Sequence, residues 1–424
     1  MPSTPDLIPR RAAQVVRDLA RDARVVVVNG PRQVGKSSLL RAMTPEMAGA
    51  RYVSLDDTSE LRFARTDPAG FVHSDGPLLI DEIQRGGDPL VLAIKSQVDR
   101  DNRPGRYVLA GSTRFLTEPR LSESLAGRAR FVDLWPLAQA EIDRVPYQET
   151  YGGTFFDNAI RGPDALVDSS AAGVDRREVF SRILRGGYPE SIRAATERSR
   201  RAFFADYVRT ISQRDITELS RLAARVDFAV VLRLAAARTA NELNISDLAN
   251  DAGLGAETAR RYLPLLEAVF LVHRLPAWGG SITNRSKRRP KLHLFDSGLA
   301  AHLVGASEAT FARGGHPSAG PLLETFVVNE ILKQRTWSDV SYDAGHWRDS
   351  DHREVDLVLE SPERQIVAIE VKAALDVHES DFRHLAYLRD KTSDRFVVGV
   401  LLHCGDRVRR FGDRLLSVPM SVLW

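Results

Sequence analysis

Arg24-Val25-Val26-Val27-Val28-Asn29 runs into Gly30-Pro31-Arg32-Gln33-Val34-Gly35-Lys36-Ser37, and then into Ser38-Leu39-Leu40-Arg41-Ala42-Met43. Four consecutive valines suit a strand buried on both faces of a parallel sheet. The eight residues after Asn29 match G-x-x-x-x-G-K-[ST], and the stretch behind them reads as a helix. A strand, a glycine-bearing loop and a helix in that order make a cradle for phosphate. Glycine lets the loop wrap so that backbone N–H groups face the anion, and the helix N-terminus adds positive potential. Gly30, Pro31, Arg32, Gln33, Val34, Gly35, Lys36, Ser37 and Ser38 are therefore the expected nucleotide-binding set. Lys36 is expected to reach the β- and γ-phosphates, and the Ser37 hydroxyl to ligate Mg²⁺.

Working outward, Arg51–Leu55, Pro77–Ile80 and Arg106–Ala110 read as further short apolar strands separated by helical stretches. That alternation predicts an open α/β sheet. The strand Pro77–Ile80 ends in Asp81-Glu82, about 45 residues beyond Lys36. A buried strand carrying two carboxylates at its end suits Mg²⁺ held through Asp81 and an attacking water polarised by Glu82. The strand Tyr107–Thr113 ends in small hydroxyl residues, which places Ser112 or Thr113 beside that water. Arg114 and Arg128 are candidates for recognising the γ-phosphate. Each is also an ordinary surface ion-pairing arginine in the plainer reading.

A chain of 424 residues is too long for one core and should hold two to four domains. With 43% hydrophobic and 27% charged residues it has the material for large cores. No run of 18 apolar residues exists, and the N-terminal stretch lacks a signal-peptide core, so the expected location is the cytoplasm. The single cysteine, Cys404, excludes a disulfide framework and a cysteine-based zinc site, and none of the ten histidines pairs at zinc spacing. A net charge of +3 does not demand nucleic acid, so that case rests on local clustering.

In order, GPRQVGKSS, LLIDEIQ, LAGST, ESLAGR, WPLAQAE and GGYPE resemble a bacterial and archaeal family of AAA+-type P-loop ATPases with a C-terminal domain of uncharacterised function. The resemblance runs through nearly the whole chain and is weakest at the N-terminus and in Tyr147–Asp175. It implies ATP and Mg²⁺ as ligands. Gly187-Tyr188-Pro189 looks like the glycine-x-proline element that touches the adenine end of the nucleotide in related signalling ATPases, so Gly187 and Pro189 join the expected set. A helix-breaking turn is the alternative.

The implied organisation is a P-loop parallel sheet over residues 1–146, a linker or long loop over 147–175 and a helical lid over 176–240. A winged-helix-like region over 241–290 and an α/β domain over 291–424 complete it. Within Ser246–Leu266, Ser246 is a suitable N-cap, Gly253 a suitable turn residue, and Leu248, Ala249, Ala252, Leu254, Ala259, Tyr262 and Leu263 an apolar packing set. The stretch resembles a winged helix-turn-helix with Arg260 and Arg261 on its second helix, as a groove-reading helix requires. Such modules also act as lids and protein contacts. Arg285, Lys287, Arg288, Arg289 and Lys291 crowd into seven residues, which suits DNA phosphates and equally a solvated loop pairing with acids elsewhere.

Near the C-terminus, Glu324 falls on the apolar stripe of LLETFVVNEIL, and Asp356 lies in the strand EVDLVLE. Glu370 and Lys372 share one face of IVAIEVK, roughly 6.6 Å apart. This set resembles the PD-(D/E)XK nuclease core, which implies Mg²⁺ on Glu324, Asp356 and Glu370, with Lys372 orienting water. Glu354-Val355-Asp356 stands where that family has Pro-Asp, and many superfamily members only bind. Lys291 and Asp296, in KLHLFDSGL, also match a motif of the ATPase family but suggest no mechanism. The leading expectation is a DNA-associated ATPase whose ATP state is coupled to a nuclease-like domain. The alternatives are a nucleotide-controlled protein switch without nucleic acid and an ATP-gated metal-dependent nuclease.

Overall fold

The computed structural model describes residues 7–112, 125–146, 153–169, 173–213, 225–279, 288–312 and 316–424. The chain is α/β and divides into two compact units, Met1–Leu137 with Glu267–Phe270, and Ala138–Leu266 with Leu271–Trp424.

The first unit is built on strands β1 (Val25–Asn29), β2 (Arg51–Ser54), β3 (Leu78–Asp81), β4 (Tyr107–Gly111) and β5 (Ala129–Asp133). They pair in parallel in the order β2-β3-β4-β1-β5. All five β1 residues are buried. Val25 and Val27 join Val53, Ile80 and Leu109 on one face, whereas Val26 and Val28 join Leu39, Leu40 and Val108 on the other. The alternation of a strand thus feeds two cores at once. Sequence reading missed β5, an edge strand whose Phe131 is 51% exposed and whose apolar pattern is correspondingly weak.

The second unit departs from expectation at its start. Within the stretch read as a linker, Phe155–Arg161 and Pro163–Ser169 are helices. Phe155, Phe156 and Ala159 are buried. Thr154 and Asp157 cap the first helix reciprocally, so the polar residues that suggested a loop are its start signal.

Further on, β6 (Asn241–Glu242), β7 (Val272–Leu275) and β8 (Lys291–Leu294) form an antiparallel sheet in the order β6-β8-β7. Between β6 and β7 lie the helices Ile245–Asp251 and Ala256–Ala268. Leu248, Ala249, Ala259, Tyr262 and Leu263 are buried, and Gly253 takes φ +66° at the turn. The cap is Asn244, not Ser246: the Asn244 side chain accepts from the Ser246 and Asp247 amides. Because β8 pairs with β6 and β7, Lys291 belongs to this sheet, not to the start of the C-terminal sheet.

The C-terminal sheet contains β9 (Asp343–Arg348), β10 (Glu354–Glu360), β11 (Ile366–Lys372), β12 (Phe396–His403), β13 (Arg409–Arg410) and β14 (Leu415–Pro419). Its order is β13-β14-β12-β11-β10-β9. β10 and β11 are antiparallel, whereas β11, β12 and β14 run parallel. The helix Arg383–Thr392 makes the crossover between β11 and β12, burying Leu385 and Leu388 against Val358, Ala368 and Leu401. The helices Ala319–Gln334 and Phe155–Arg161 also pack on β11. Among the described residues no helix is long and apolar enough to cross a membrane.

Candidate functional site

The phosphate loop joins β1 to the helix Lys36–Met43. Gly35 has φ +101°, a backbone region that favours glycine. A Cβ on Gly30 would stand 2.4 Å from the Leu134 carbonyl oxygen, so the close approach of β1 and the chain after β5 requires glycine there. Lys36 is buried, and its ammonium donates to the carbonyls of Gly30 and Pro31 at 2.8 and 2.7 Å. Ser37 is half-buried in the first turn, and Ser38 and Gln33 are exposed.

Sequence reasoning missed Arg10. Its guanidinium donates to the Val34 carbonyl at 2.8 Å and the Trp135 carbonyl at 2.6 Å, pinning the loop to the chain after β5. Arg10→Ala is expected to loosen the loop and to weaken any nucleotide binding there by about ten- to hundredfold, since one such charge-assisted bond contributes roughly 1.5–3 kcal/mol. Arg10→Lys should recover little, because an ammonium lacks the fork that spans two carbonyls. Calorimetric titration checks both.

Asp81 ends β3, buried, and accepts from the Tyr52 hydroxyl at 2.9 Å and the Glu82 amide at 3.0 Å. Burial and Asp81 together raise the Tyr52 pKa. Glu82 takes a left-handed conformation, φ +53° and ψ 42°, at the turn out of β3. The Gln84 amide donates to Glu82 Oε2, and also to the Ser112 hydroxyl at 3.1 Å. Ser112 Oγ lies 3.4 Å from the same Glu82 oxygen. The structure thus brings Glu82 and Ser112 together and adds Gln84, which sequence reading does not single out.

Arg128 does not join them. The β1–β5 register pairs Val25 with Ala129 and Asn29 with Asp133, so Arg128 is at the end of the sheet opposite the phosphate loop. It pairs there with Asp99 at 2.5 Å, which raises its pKa. Arg128 therefore cannot recognise a γ-phosphate held by the same chain. Thr113 and Arg114 lie outside the described residues.

In the second unit, Gly187 and Pro189 serve a turn. The Gly187 amide donates to Asp296 Oδ2 at 2.7 Å, and Asp296 Oδ1 caps the helix Ser297–Leu303 through the Leu299 amide. A Cβ on Gly186 would stand 2.4 Å from Asp296. Pro189 opens the helix Pro189–Arg193, and the buried Tyr188 hydroxyl pairs with that of Tyr207 at 2.8 Å. GGYPE and KLHLFDSGL, far apart in sequence, thus meet at Asp296.

The C-terminal carboxylates also converge. The β10–β11 register, one step beyond the Leu357–Ile369 pair, sets Asp356 across from Glu370. Asp356 Oδ2 accepts from the Val371 amide at 2.9 Å, and Lys372 pairs with Glu370 at 3.1 Å. The unanticipated member is Lys291. Its ammonium lies 2.7 Å from Glu324, 2.6 Å from Glu354 and 3.6 Å from Asp356. Lys291 is 3% exposed, so it is unavailable to DNA phosphates, contrary to expectation. Burial opposes its charge, but Glu324, Asp356 and Glu354 prevail and raise its pKa. Burial, then Asp356, pushes Glu370 up to about 8. Glu324 is likewise raised by burial and Asp356. The residues expected to share a Mg²⁺ do not fit it as they stand, because an ammonium already bridges Glu324 and Asp356. Among the described residues no group of three or more His, Cys, Asp or Glu is arranged to hold a metal ion.

Arg260 and Arg261 are exposed on their helix, and Arg288 and Arg289 are exposed before β8. Arg285 and Lys287 lie outside the described residues. Cys404 is buried and its thiol is pushed up to about 11 by that burial, consistent with packing.

Residues 22–143 match a model described as an AAA domain. Residues 176–310 and 319–423 match two domains of unknown function, DUF8612 and DUF4143. Among solved structures, the Thermotoga maritima RuvB Holliday junction branch migration motor aligns with 63% of this chain and 90% of its own, at 17% identity and a TM-score of 0.30. AMPPCP-bound DnaA from Aquifex aeolicus aligns with 60% and 85%, at 13% identity and a TM-score of 0.29. An uncharacterized Haemophilus influenzae protein is 23% identical over 331 residues, 76% of this chain and 72% of its own. The uncharacterized proteins Rv2008c of Mycobacterium tuberculosis and Mb2031c of Mycobacterium bovis are each 30% identical over 360 residues, 84% of this chain and 72% of theirs. The chain belongs to the family of these mycobacterial proteins, with an AAA domain at residues 22–143.

Proposed function

We propose that the chain binds ATP with Mg²⁺ at the phosphate loop and hydrolyses it there. The observation that carries this reading is the placement of Lys36 and Glu82 at the carboxyl ends of β1 and β3, on either side of β4, with Ser112 and Gln84 closing on the Glu82 carboxylate. The carboxyl edge of an open α/β sheet is where such sites form. Ser37 and Asp81 would hold Mg²⁺, which when bound neutralises phosphate charge and orients the chain of phosphates. Lys36 binds the β- and γ-phosphates, and Glu82 orients the attacking water and takes its proton. Ser112 and Gln84 hold Glu82 in place. The test is ATP turnover by the purified chain, alone and with DNA, RNA or lysate proteins; no turnover under any of these conditions defeats the reading.

Four exposed arginines, Arg260, Arg261, Arg288 and Arg289, favour DNA as a partner over a purely protein-directed switch. ATP state would then be coupled to a nucleic-acid contact in the helix-turn-helix region. Neutralising Arg288 and Arg289 should weaken binding at all sequences alike, because phosphate contacts position without specifying. The slope of log affinity against log salt should become shallower by about 0.9 for each duplex phosphate that is no longer neutralised. A filter-binding salt titration reads both. No binding at low salt leaves the protein-directed switch. An ATP-gated metal-dependent nuclease is the least supported reading, given where Lys291 sits.

A further inference from the structure

Lys291 heads a motif for which the sequence suggests no mechanism, yet its side chain is among the most buried charges of the described residues. It reaches from the three-stranded sheet to Glu324 on the helix Ala319–Gln334 and to Glu354 and Asp356 on β10. An ammonium has three N–H donors, and three carboxylates surround this one. Oxygen–metal distances for Mg²⁺ or Ca²⁺ are about 2.0–2.6 Å, so a dication on these same oxygens would be forced close against the ammonium. The two cations exclude one another.

We propose that Lys291 is the resident cation of this carboxylate cluster, standing between Glu324 and Asp356 where a nuclease-like site would take a divalent metal. The ammonium locks the three-stranded sheet to the C-terminal sheet, and the cluster is an internal ionic lock instead of a metal-dependent hydrolytic centre. The strongest foothold for a metal that binds in spite of Lys291 is Glu370, whose Oε2 is buried without a partner. The test must therefore include it.

The experiment titrates the full-length, nucleotide-free chain with Mn²⁺ and follows the bound ion by electron paramagnetic resonance. Omitting nucleotide keeps the phosphate loop's own metal out of the readout, so a failed ATPase reading leaves this result unaffected. The wild type is expected to hold no Mn²⁺ that disappears in Asp356→Asn or Glu370→Gln. Lys291→Met is expected to gain a bound Mn²⁺, lost again when Asp356→Asn is added. A wild-type Mn²⁺ site that depends on Asp356 or Glu370 overturns the proposal, as does a folded Lys291→Met chain that gains none. If Lys291→Met does not fold, the comparison of wild type with Asp356→Asn and Glu370→Gln decides alone.

Discussion

Glu82→Gln is expected to slow ATP turnover by about 10²–10⁴-fold, the usual contribution of a positioned general base, while leaving ATP bound. Glutamine keeps the shape of the side chain and an oxygen for the Gln84 amide and Ser112, so the network around β3 and β4 survives. What is lost is the charge that takes a proton from water. The left-handed backbone of Glu82 makes this position unusual, because a residue that is not glycine is held there at a conformational cost. Lys36→Ala should act differently. It removes the buried ammonium at the loop and is expected to weaken ATP binding itself. Single-turnover hydrolysis together with a binding titration separates the two. Parental turnover in Glu82→Gln would remove Glu82 from the chemistry.

The loop and strand ends of the candidate nucleotide site are legible in the sequence because their signals are local. The valines of β1, the loop glycines and the carboxylates ending β3 each lie within a few residues of the group they position. β4, which lies between β1 and β3 in the sheet, is legible too: it is read as Arg106–Ala110 and found at Tyr107–Gly111. Arg128 is misplaced by sequence reading because its position depends on register: only the pairing of Ala129 with Val25 shows that it sits at the far end of the sheet. Arg10 carries no signal, since its partners are backbone carbonyls 24 and 125 residues away.

Lys291 is hidden in a different way. Beside Arg285, Lys287, Arg288 and Arg289 it looks like part of a solvated basic run. The informative signal is on its other side, where Leu292, His293, Leu294 and Phe295 are all buried. A lysine opening a fully buried strand needs carboxylate partners, and Glu324 on an apolar helix stripe needs a cation. Nothing in the sequence pairs the two across 33 residues. The supposed linker fails for a related reason. Thr154 and Asp157 are turn-forming residues by composition and a helix cap by position.

Breaking the Lys291 lock should cost the second unit much of its stability. Lys291→Ala leaves Glu324, Glu354 and Asp356 facing one another without their shared ammonium, with Lys372 already engaged by Glu370. Removing one partner of a buried ion pair costs about 3–5 kcal/mol, because the remaining charge is stranded in a poorly solvated place. An exposed pair such as Arg209–Asp206 should contribute little by comparison. The sign of a double substitution follows from the same imbalance. Lys291→Met with Glu324→Gln removes one charge of each sign and keeps the volume, so it should be less destabilising than the sum of the two single changes. Contacting charges of this kind couple by about 0.5–3 kcal/mol. Denaturant unfolding should be followed by a probe in the second unit, since two compact units need not melt together. A Lys291→Ala chain as stable as the parent, or additive single and double changes, would mean that the ammonium and the carboxylates merely neighbour one another and hold nothing together.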